Sequence, residues 1–272
     1  MDSLPEDLEL ITLRRRIATR IIGNVLMRYE RVTSTNDIVR ERARSGCAEG
    51  LIVLAEEQSA GRGRLGRSWV ASYGEALLMS VLLRPVWLPP GEAFTLTMLA
   101  GVALCEAVEQ VATVRARLKW PNDLLLFADG AWRKGAGILT EISIAGDTIE
   151  WAIVGVGVNV NQAPVGAVNG RDLQQTATSL NAAAGQRISR TALLETLLMI
   201  LDERYALLRS GERAALFADW RARLAYLGET VTVNLPNGEL CGIAEDVAAD
   251  GTLLLRDAAG VLHTIHTGDV GV

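Results

Sequence analysis

A run rich in glycine and arginine, residues 61–69 (GRGRLGRSW), has the residue types best suited to binding a polyanion. Gly61, Gly63 and Gly66 leave backbone N–H groups accessible to a ligand, and three arginines alternate with them. Permanent positive charges beside accessible backbone donors suit a phosphate chain, and Trp69 can stack on a planar base or cap an apolar ligand. These residues predict a nucleotide-binding loop of an uncommon type.

Two common nucleotide-binding motifs share some residues with this run and are alternatives to a loop of an uncommon type. The run contains GxGxxG, the pattern of a dinucleotide-binding turn, and it falls short of a P-loop because Arg67 stands where a lysine is needed. A dinucleotide turn follows a strand at once and opens a helix. Here five residues separate the predicted strand 51–55 from Gly61, and residues 69–74 do not favour a helix. A flexible, solvated basic loop is the third alternative.

A second motif, residues 119–123 (KWPND), lies between two strand-like stretches, 115–118 and 124–127. Proline followed by Asn-Asp predicts a turn there, and a turn with a local salt bridge would explain the motif by itself. The turn does not account for Lys119 and Asp123. A carboxylate close to a phosphate site can hold Mg²⁺, which prefers oxygen ligands and keeps several waters. Asp123 is therefore a candidate magnesium ligand.

Two further motifs are rich in glycine and border predicted strands. In residues 134–141 (KGAGILTE), small residues follow a lysine and let a ligand approach the backbone closely. Lys134 would supply a point charge to a carboxylate or phosphate. Residues 155–161 (GVGVNVN) follow the apolar stretch 151–154 and contain Asn159. A strand with glycines at a bulge is the alternative for this last motif.

In this order and at these separations, the four motifs resemble those of the biotin–protein ligases, from about residue 28 to the end of the chain. The resemblance implies an α+β fold, with helices packed on a mixed central sheet and a small C-terminal SH3-like β-barrel. It divides the chain into an N-terminal extension (1–27), a catalytic domain (28–227) and the barrel (228–272). Because 27 residues are too few for an independent module, the form without an N-terminal DNA-binding domain is expected.

The resemblance also implies a two-step reaction that needs little covalent work from the protein. The carboxylate of biotin attacks the α-phosphate of ATP, which gives biotinyl-5′-AMP and pyrophosphate, with Mg²⁺ present. A specific lysine of a biotin carboxyl carrier domain then attacks the mixed anhydride and releases AMP. A lipoate or octanoate ligase of the same superfamily and a non-catalytic biotin-binding protein are the alternatives. The protein is expected to be a monomer or a homodimer.

By the same resemblance, three residues receive catalytic roles. Lys134 contacts the biotin carboxylate and the α-phosphate, Arg64 meets the growing negative charge, and Asp123 helps to place Mg²⁺. Residues implied to bind biotin or the adenylate are Ser34, Thr35, Asn36, Gln58, Arg62, Gly63, Arg64, Trp69, Lys134, Gly137 and Asn159. Residues implied for the nucleotide loop are Gly61, Gly63, Gly66 and Arg67. We expect this loop to be mobile without ligand, because three glycines lose much conformational freedom on ordering.

The elements that must position these motifs are predicted from hydrophobic periodicity and turn residues. Predicted strands are 51–55, 76–83, 115–120, 124–127, 137–144 and 148–160. Predicted helices are 93–111, 191–209 with Ser189 as N-cap, 212–227, and a short amphipathic helix over 7–25. Residues 164–171 are predicted to form a loop. From residue 229, Asn-Gly and Asp-Gly turns predict a five-stranded barrel, with the domain boundary near Gly228.

Composition favours a soluble cytoplasmic enzyme. The net charge of −5 argues against non-specific binding to nucleic acid, and no uninterrupted apolar stretch approaches the roughly 18 residues that span a membrane. The acidic N-terminus does not match a secretory signal. Cys47, Cys105 and Cys241 are expected to be reduced and to serve as small buried apolar residues. His263 and His266 are expected at exposed strand positions rather than in a zinc site.

Overall fold

A mixed seven-stranded sheet forms the centre of the molecule in the computed structural model, which describes residues 8, 13, 15–168 and 171–271. Its strand order is β1-β2-β3-β7-β6-β5-β4. Strands β1 and β2 pair in parallel, and the other neighbours are antiparallel. The strands are β1 (Val25–Val32), β2 (Leu51–Gln58), β3 (Ala76–Leu83), β4 (Ala116–Lys119), β5 (Asp123–Ala128), β6 (Ala131–Ala145) and β7 (Thr148–Asn159).

Helices cover both faces of this sheet, but unevenly. The helices are α1 (Thr35–Arg44), α2 (Thr95–Ala112), α3 (Leu173–Thr176), α4 (Leu180–Ala184), α5 (Arg190–Arg209) and α6 (Arg213–Ala222). Helix α1 packs Val39 and Ala43 on one face, against apolar residues of β2, β3 and β7. Helices α2, α5 and α6 pack on one another, and α2 covers the opposite face. The α1 face is therefore left open over β4, β5 and β6.

Helix α2 lies in the core because it is apolar on nearly every side. One helical stretch in the described part of the chain, Pro90–Ala112, is long and apolar enough to span a membrane by length and composition. Most of it is buried inside the protein, where it packs on the sheet and on α5. An all-round apolar helix is typical of the core of a large domain, and the packing of α2 accounts for its composition.

A second, antiparallel sheet of five strands follows the helices. Its order is β13-β12-β11-β10-β14, and a two-stranded pair, β8 (Ala167–Val168) and β9 (Arg171–Asp172), lies earlier in the chain. The five strands are β10 (Thr230–Leu235), β11 (Gly238–Val247), β12 (Leu253–Arg256), β13 (Leu262–Ile265) and β14 (Asp269–Gly271). Trp120, which follows β4, connects this part of the chain to the turn before β12, because its Nε1 donates to the backbone oxygen of Gly251 at 2.8 Å. The predicted five strands are confirmed.

Several predicted elements match the structure closely. The strand 76–83 has the predicted bounds, and the side-chain oxygen of Ser189 caps α5 by accepting from the N–H of Ala192. Two of the predicted strands were too short, since β2 extends to Gln58 and β6 begins at Ala131. Lys134 therefore lies inside a strand rather than before one. Helix α6 ends at Ala222, where residues 224 and 225 bridge to β4 instead of continuing the predicted helix.

The predicted helix over 7–25 is wrong for its second half. Residues 17–24 form an irregular segment and Val25 opens β1. The carboxylate of Asp202 on α5 accepts from the backbone N–H groups of Arg20, Ile21 and Ile22 at 2.7–2.8 Å, which satisfies donors that a helix would otherwise bond. Leu13, Arg15 and Arg16 are helical, and the rest of 7–14 apart from Leu8 lies outside the described residues.

Candidate functional site

One cavity of about 700 Å³ lies on the open part of the sheet face, and all four sequence motifs contribute to its walls. A cavity of this size is typical of sites for small molecules and cofactors. Of the residues predicted for the site, it is lined by Ser34, Thr35, Asn36, Gln58, Arg62, Gly63, Arg64, Arg67, Trp69, Asp123, Lys134, Gly137 and Asn159. Gly61 and Gly66 belong to the loop but do not line the cavity.

The glycine-arginine loop folds back on itself and forms part of the cavity wall. The N–H of Trp69 donates to the oxygen of Gly61 at 2.8 Å, and the N–H of Gly63 donates to the oxygen of Arg67 at 2.7 Å. After the loop the chain enters β3, and the next α-helix begins only at Thr95. The dinucleotide-binding turn and the P-loop both need a helix at this point, so the fold excludes both alternatives.

Trp69 lies flat on two glycines of the sheet. Gly137 of β6 and Gly157 of β7 are direct partners in the strand pairing. A Cβ atom at Gly157 would lie 2.5 Å from Cε2 of Trp69, and one at Gly137 would lie 3.1 Å from Cζ3. Only glycine fits at 157, because real Cβ atoms do not approach so closely. The indole Nε1 is buried without a hydrogen-bond partner among the described residues, so a ligand acceptor could satisfy it.

The two residues predicted to carry most of the chemistry form an ion pair. Nζ of Lys134 lies 2.6 Å from Oδ1 of Asp123, whose side chain is only 12% exposed. The same nitrogen lies 5.7 Å from the ring centroid of Trp69. Asp123 opens β5, directly opposite Gly137 in the pairing. The salt bridge thus joins two of the motifs rather than the ends of one turn, which corrects the local-turn alternative for KWPND.

Arg64 and Arg67 connect the loop to the C-terminal sheet. The guanidinium of Arg64 donates to the side chains of Asn122 and Thr267 and to the oxygen of Gly268, each at 3.4 Å. Burial lowers the pKa of Arg64, although nearby Asp269 and Asp123 oppose this effect. The group stays charged because arginine is not deprotonated in proteins. A charged group with weak, long hydrogen bonds in a partly buried position is well placed to bind an anion.

Asp269 anchors the second of these arginines. Nη2 of Arg67 lies 2.5 Å from Oδ2 of Asp269, at the start of β14. Lys119 lies beside this contact and donates from Nζ to the oxygen of Val270 at 3.1 Å. The C-terminal sheet therefore supplies part of the cavity wall. Sequence reasoning missed Thr267 and Asp269, since the tail carries no motif that would point to them.

The opposite end of the cavity is a network of uncharged polar groups at the start of α1. Oε1 of Gln58 accepts from the N–H of Thr35 at 2.7 Å and from its hydroxyl at 3.1 Å. Oγ of Ser80 lies 2.7 Å from Oγ1 of Thr35 and 2.5 Å from Oδ1 of Asn36, and its single hydroxyl proton is shared between these two acceptors. Ser34 occupies the N-cap position without a side-chain capping bond. Hydroxyl and amide groups here offer both donors and acceptors, as a urea-like ring requires.

Glu141, the last residue of KGAGILTE, ties this polar end to the loop. Its carboxylate accepts from Nδ2 of Asn36 at 2.7 Å, from Arg40 at 2.8 Å and from Arg62 at 3.2–3.3 Å. Arg62 also donates to Asp37 at 2.8 Å. The sequence motif included Glu141, but nothing in its spacing assigned this role. These contacts fix Arg62 and Asn36 relative to each other.

Asn159 lies at the end of β7 and is almost fully buried. Its Nδ2 donates to the oxygen of Thr178 at 3.0 Å, which holds the segment after α3 against the sheet. Its Oδ1 has no hydrogen-bond partner among the described residues. A buried acceptor without a partner is uncommon and marks a place where a ligand donor would be favourable.

The cysteines and histidines lie apart from the cavity. Cys105 is buried as expected, and burial raises its thiol pKa to about 12, but Cys241 is exposed on β11, which corrects the prediction for that residue. His263 contacts Asp257, and Nδ1 of His266 lies 2.9 Å from the hydroxyl of Thr252. Among the described residues, no group of three His, Cys, Asp or Glu side chains could hold a metal ion.

Comparison with known proteins decides the family. A sequence model of the "Biotin/lipoate A/B protein ligase family" matches residues 29–159, and one of the "Biotin protein ligase C terminal domain" matches residues 226–271. The "Bifunctional ligase/repressor BirA" of Bacillus subtilis is 32% identical over 266 residues, which cover 98% of this chain and 79% of that protein. The chain belongs to the biotin protein ligases.

Other members of this family extend the similarity. The "Biotin--[acetyl-CoA-carboxylase] ligase" of Paracoccus denitrificans is 36% identical over 236 residues, covering 85% of this chain and 93% of that protein. The structure of the biotin protein ligase from Aquifex aeolicus in complex with biotin and ATP superposes with a TM-score of 0.74 at 27% identity. That match covers 91% of this chain and 98% of the other. The predicted fold class and the prediction of a biotin ligase are confirmed.

Proposed function

We propose that this ligase activates biotin as biotinyl-5′-AMP and transfers it to one lysine of a biotin carboxyl carrier domain. The observation that carries the proposal is the single cavity in which all four motifs meet, with uncharged polar groups at one end and cationic groups at the other. This polarity matches biotin, which has a neutral ureido ring at one end and a carboxylate at the other. The relatives named as biotin–[acetyl-CoA-carboxylase] ligases support the choice of acceptor.

In the first step, an oxygen of the biotin carboxylate attacks the α-phosphorus of ATP, and the bond to pyrophosphate breaks. Two anions must approach each other, so the main task of the protein is to neutralise and position them. Lys134 lines the cavity beside Asp123 and Trp69, and we assign its ammonium group to contact with both anions. Arg64 and Arg67 face the growing charge on the phosphates. Trp69 packs over the bound acid and excludes water.

Asp123 and its surroundings fit a magnesium ion only when ATP is bound. Two carboxylates line the cavity among the described residues, and Asp269 is paired with Arg67. Asp123 with the amide of Asn122 beside it is too small a ligand set for a protein-only site. Mg²⁺ in nucleotide sites is commonly held by one or two carboxylates together with substrate phosphates and water. Asp123 would hold the ion, which would neutralise phosphate charge during the attack. Lys134 would then be available to the substrate anions in place of its present partner Asp123.

In the second step, the ε-amine of the acceptor lysine attacks the acyl carbon of the adenylate and AMP leaves. The amide bond forms as the mixed-anhydride bond breaks, and the ammonium proton is lost to water or to a nearby base. Asn159, with its unpartnered buried Oδ1, would accept from the adenine end. We place this reaction in the cytoplasm, where ATP and carboxylases are available.

Biotin-dependent exchange of labelled pyrophosphate into ATP tests the first step. We expect exchange with biotin and Mg²⁺, and none with lipoate or octanoate. Exchange with lipoate or octanoate alone would assign the chain to that branch of the superfamily. Biotin binding without exchange of any acid would identify a protein that binds biotin but does not activate it.

A further inference from the structure

A ladder of stacked side chains lies on the open sheet face beside the cavity. We call it the arginine ladder, and it consists of Arg115, Arg117, Phe127 and Trp132. Cζ of Arg115 lies 3.8 Å from the ring centroid of Phe127, and Cζ of Arg117 lies 5.0 Å from a ring of Trp132. The two aromatic rings meet edge to face, with centroids 5.4 Å apart.

Strand pairing connects the ladder to the catalytic residues. Phe127 pairs with Trp132, while Leu125 pairs with Arg117 on one side and with Lys134 on the other. Lys134 therefore lies two strands from Arg117 and two residues from Trp132, or about 10 Å and 7 Å away at ordinary strand spacings. Trp132 and Leu125 line the cavity, whereas Arg115 and Arg117 lie outside it. The ladder thus extends from the cavity wall onto the outer surface.

The charge of the ladder is not neutralised by the protein. Arg115 and Arg117 are exposed, and neither has a carboxylate within salt-bridge distance among the described residues. Their neighbour Arg133 differs, because it pairs with Asp129. A guanidinium stacked on an aromatic ring keeps its N–H edges available for carboxylates and loses less side-chain entropy when it binds one. Exposed arginines beside tryptophan are typical of protein interfaces.

Resting on the function proposed above, we propose that the arginine ladder is the docking surface for an acidic face of the carrier domain. The acceptor lysine must reach the acyl carbon near Lys134, so the body of the acceptor has to lie against the surface around the cavity mouth. The two arginines stack beside Trp132, which lines the cavity, and do not line the cavity themselves. Their unpaired charge favours a partner with aspartate or glutamate near the acceptor lysine.

The test compares docking with adenylation in the full-length protein. The variant Arg115→Glu/Arg117→Glu is assayed for pyrophosphate exchange, for transfer to a biotin carboxyl carrier domain, and for transfer to hydroxylamine. Hydroxylamine attacks the adenylate without docking, so it reports on the chemistry alone. The control is Arg44→Glu, at an exposed arginine in the last turn of α1 that does not line the cavity. A second variant, Arg115→Lys/Arg117→Lys, keeps the positive charge but loses the planar guanidinium group that stacks and makes paired hydrogen bonds.

We expect the glutamate variant to raise the KM for the carrier domain at least about tenfold, with exchange and hydroxylamine transfer within about twofold of wild type. The KM of the lysine variant for the carrier domain should lie between those of wild type and the glutamate variant. Added salt should weaken carrier binding less in the glutamate variant than in wild type. An unchanged KM for the carrier domain would overturn the proposal. A raised KM for ATP instead would assign the arginines to the nucleotide. Absence of exchange in wild type would refute the proposed function and not this surface.

Discussion

Nζ of Lys134 lies 2.6 Å from Oδ1 of Asp123, across the neighbouring strands β5 and β6. Each group neutralises the other beside the cavity in which the anionic substrates would bind. A cation held by a single carboxylate can exchange that partner for a substrate carboxylate or phosphate at little cost. The pair therefore keeps both groups in place before the substrates arrive.

Replacing Lys134 by alanine should reduce biotin-dependent pyrophosphate exchange by about 10²–10³-fold, the usual effect of removing a donor that stabilises developing charge. The thermal unfolding midpoint should change little, because the lysine side chain is 36% exposed. Lys134→Arg is the matched variant, since it restores the charge at a different reach, and it should recover part of the rate. Exchange close to the wild-type rate in Lys134→Ala would remove this residue from the mechanism.

Gly157→Ala should displace Trp69, because the added Cβ would lie 2.5 Å from Cε2 of the indole. We expect biotin affinity to fall by at least about tenfold, since Trp69 loses the surface on which it packs. Isothermal titration with biotin measures the change. Gly91→Ala is the control, because a Cβ there meets nothing within 4 Å. Equal biotin affinities of the two variants would show that biotin binding does not depend on the packing of Trp69 against Gly157.

Asp269→Asn should loosen the glycine-arginine loop, because it removes the charge that pairs with Arg67. Limited trypsin digestion without ligand should then cleave after the loop arginines faster than in wild type. Biotin together with ATP should protect the loop in both proteins. Asp246→Asn breaks a different ion pair of the same sheet, with Arg221, and controls for general loosening. Equal cleavage of the loop in all three proteins would contradict this role of Asp269.

The C-terminal sheet should lose stability in acid at Asp257. A hydrogen bond from His263 and backbone N–H groups of Val261 and Ala259 hold the pKa of this carboxyl below its usual 3.8. A lowered folded-state pKa means that the stabilisation is fully present above pH 3.8 and is lost as pH falls through the lower value. Urea unfolding should therefore separate wild type from Asp257→Asn more at pH 7 than at pH 3. A separation that does not depend on pH would refute the assignment.

The chain contains only two lysines, Lys119 and Lys134, against 25 arginines. An adenylate that escapes from the cavity acylates amines but not guanidinium groups, which stay protonated. With biotin and ATP but no acceptor, label on wild type should be confined to these lysines and the N-terminus. Arg117→Lys should gain label faster than Arg44→Lys, because residue 117 lies beside the cavity mouth. Mass analysis of peptides measures the labelling of each variant. Equal labelling of Lys at positions 117 and 44 would argue against an opening of the cavity beside the arginine ladder.

The sequence predicted which residues line the cavity better than it predicted the strands and helices that hold them. The motifs GRGRLGRSW, KWPND and KGAGILTE could be recognised in a single sequence, because charged residues and glycines at these spacings suggest contact with a ligand. Strand β1 and helix α1 were missed because charged residues interrupt their apolar patterns. In β1 these include Arg28 and Arg31, which pair with glutamates of β2. Such pairing is decided by tertiary structure and leaves no periodic signal.

Contacts between distant parts of the chain were likewise out of reach. Arg67 and Asp269 are separated by 202 residues, and neither the tail nor the loop has a pattern that refers to the other. Lys134 was expected before a strand because the predicted strand began only at Gly137, after small residues. The structure places Gly135 and Gly137 within β6, where an added Cβ would lie 2.4 Å from Leu126 at the first position and 3.1 Å from Trp69 at the second.

Transfer of biotin to a carrier domain tests the central claim most directly. The purified chain is incubated with biotin, ATP, Mg²⁺ and a biotin carboxyl carrier domain, and the intact mass of the carrier is measured together with AMP release. We predict one biotinyl group on one lysine, with one AMP released for each group attached. A carrier that stays unmodified while ATP is stable, or one that is modified by lipoate but not by biotin, would contradict the account.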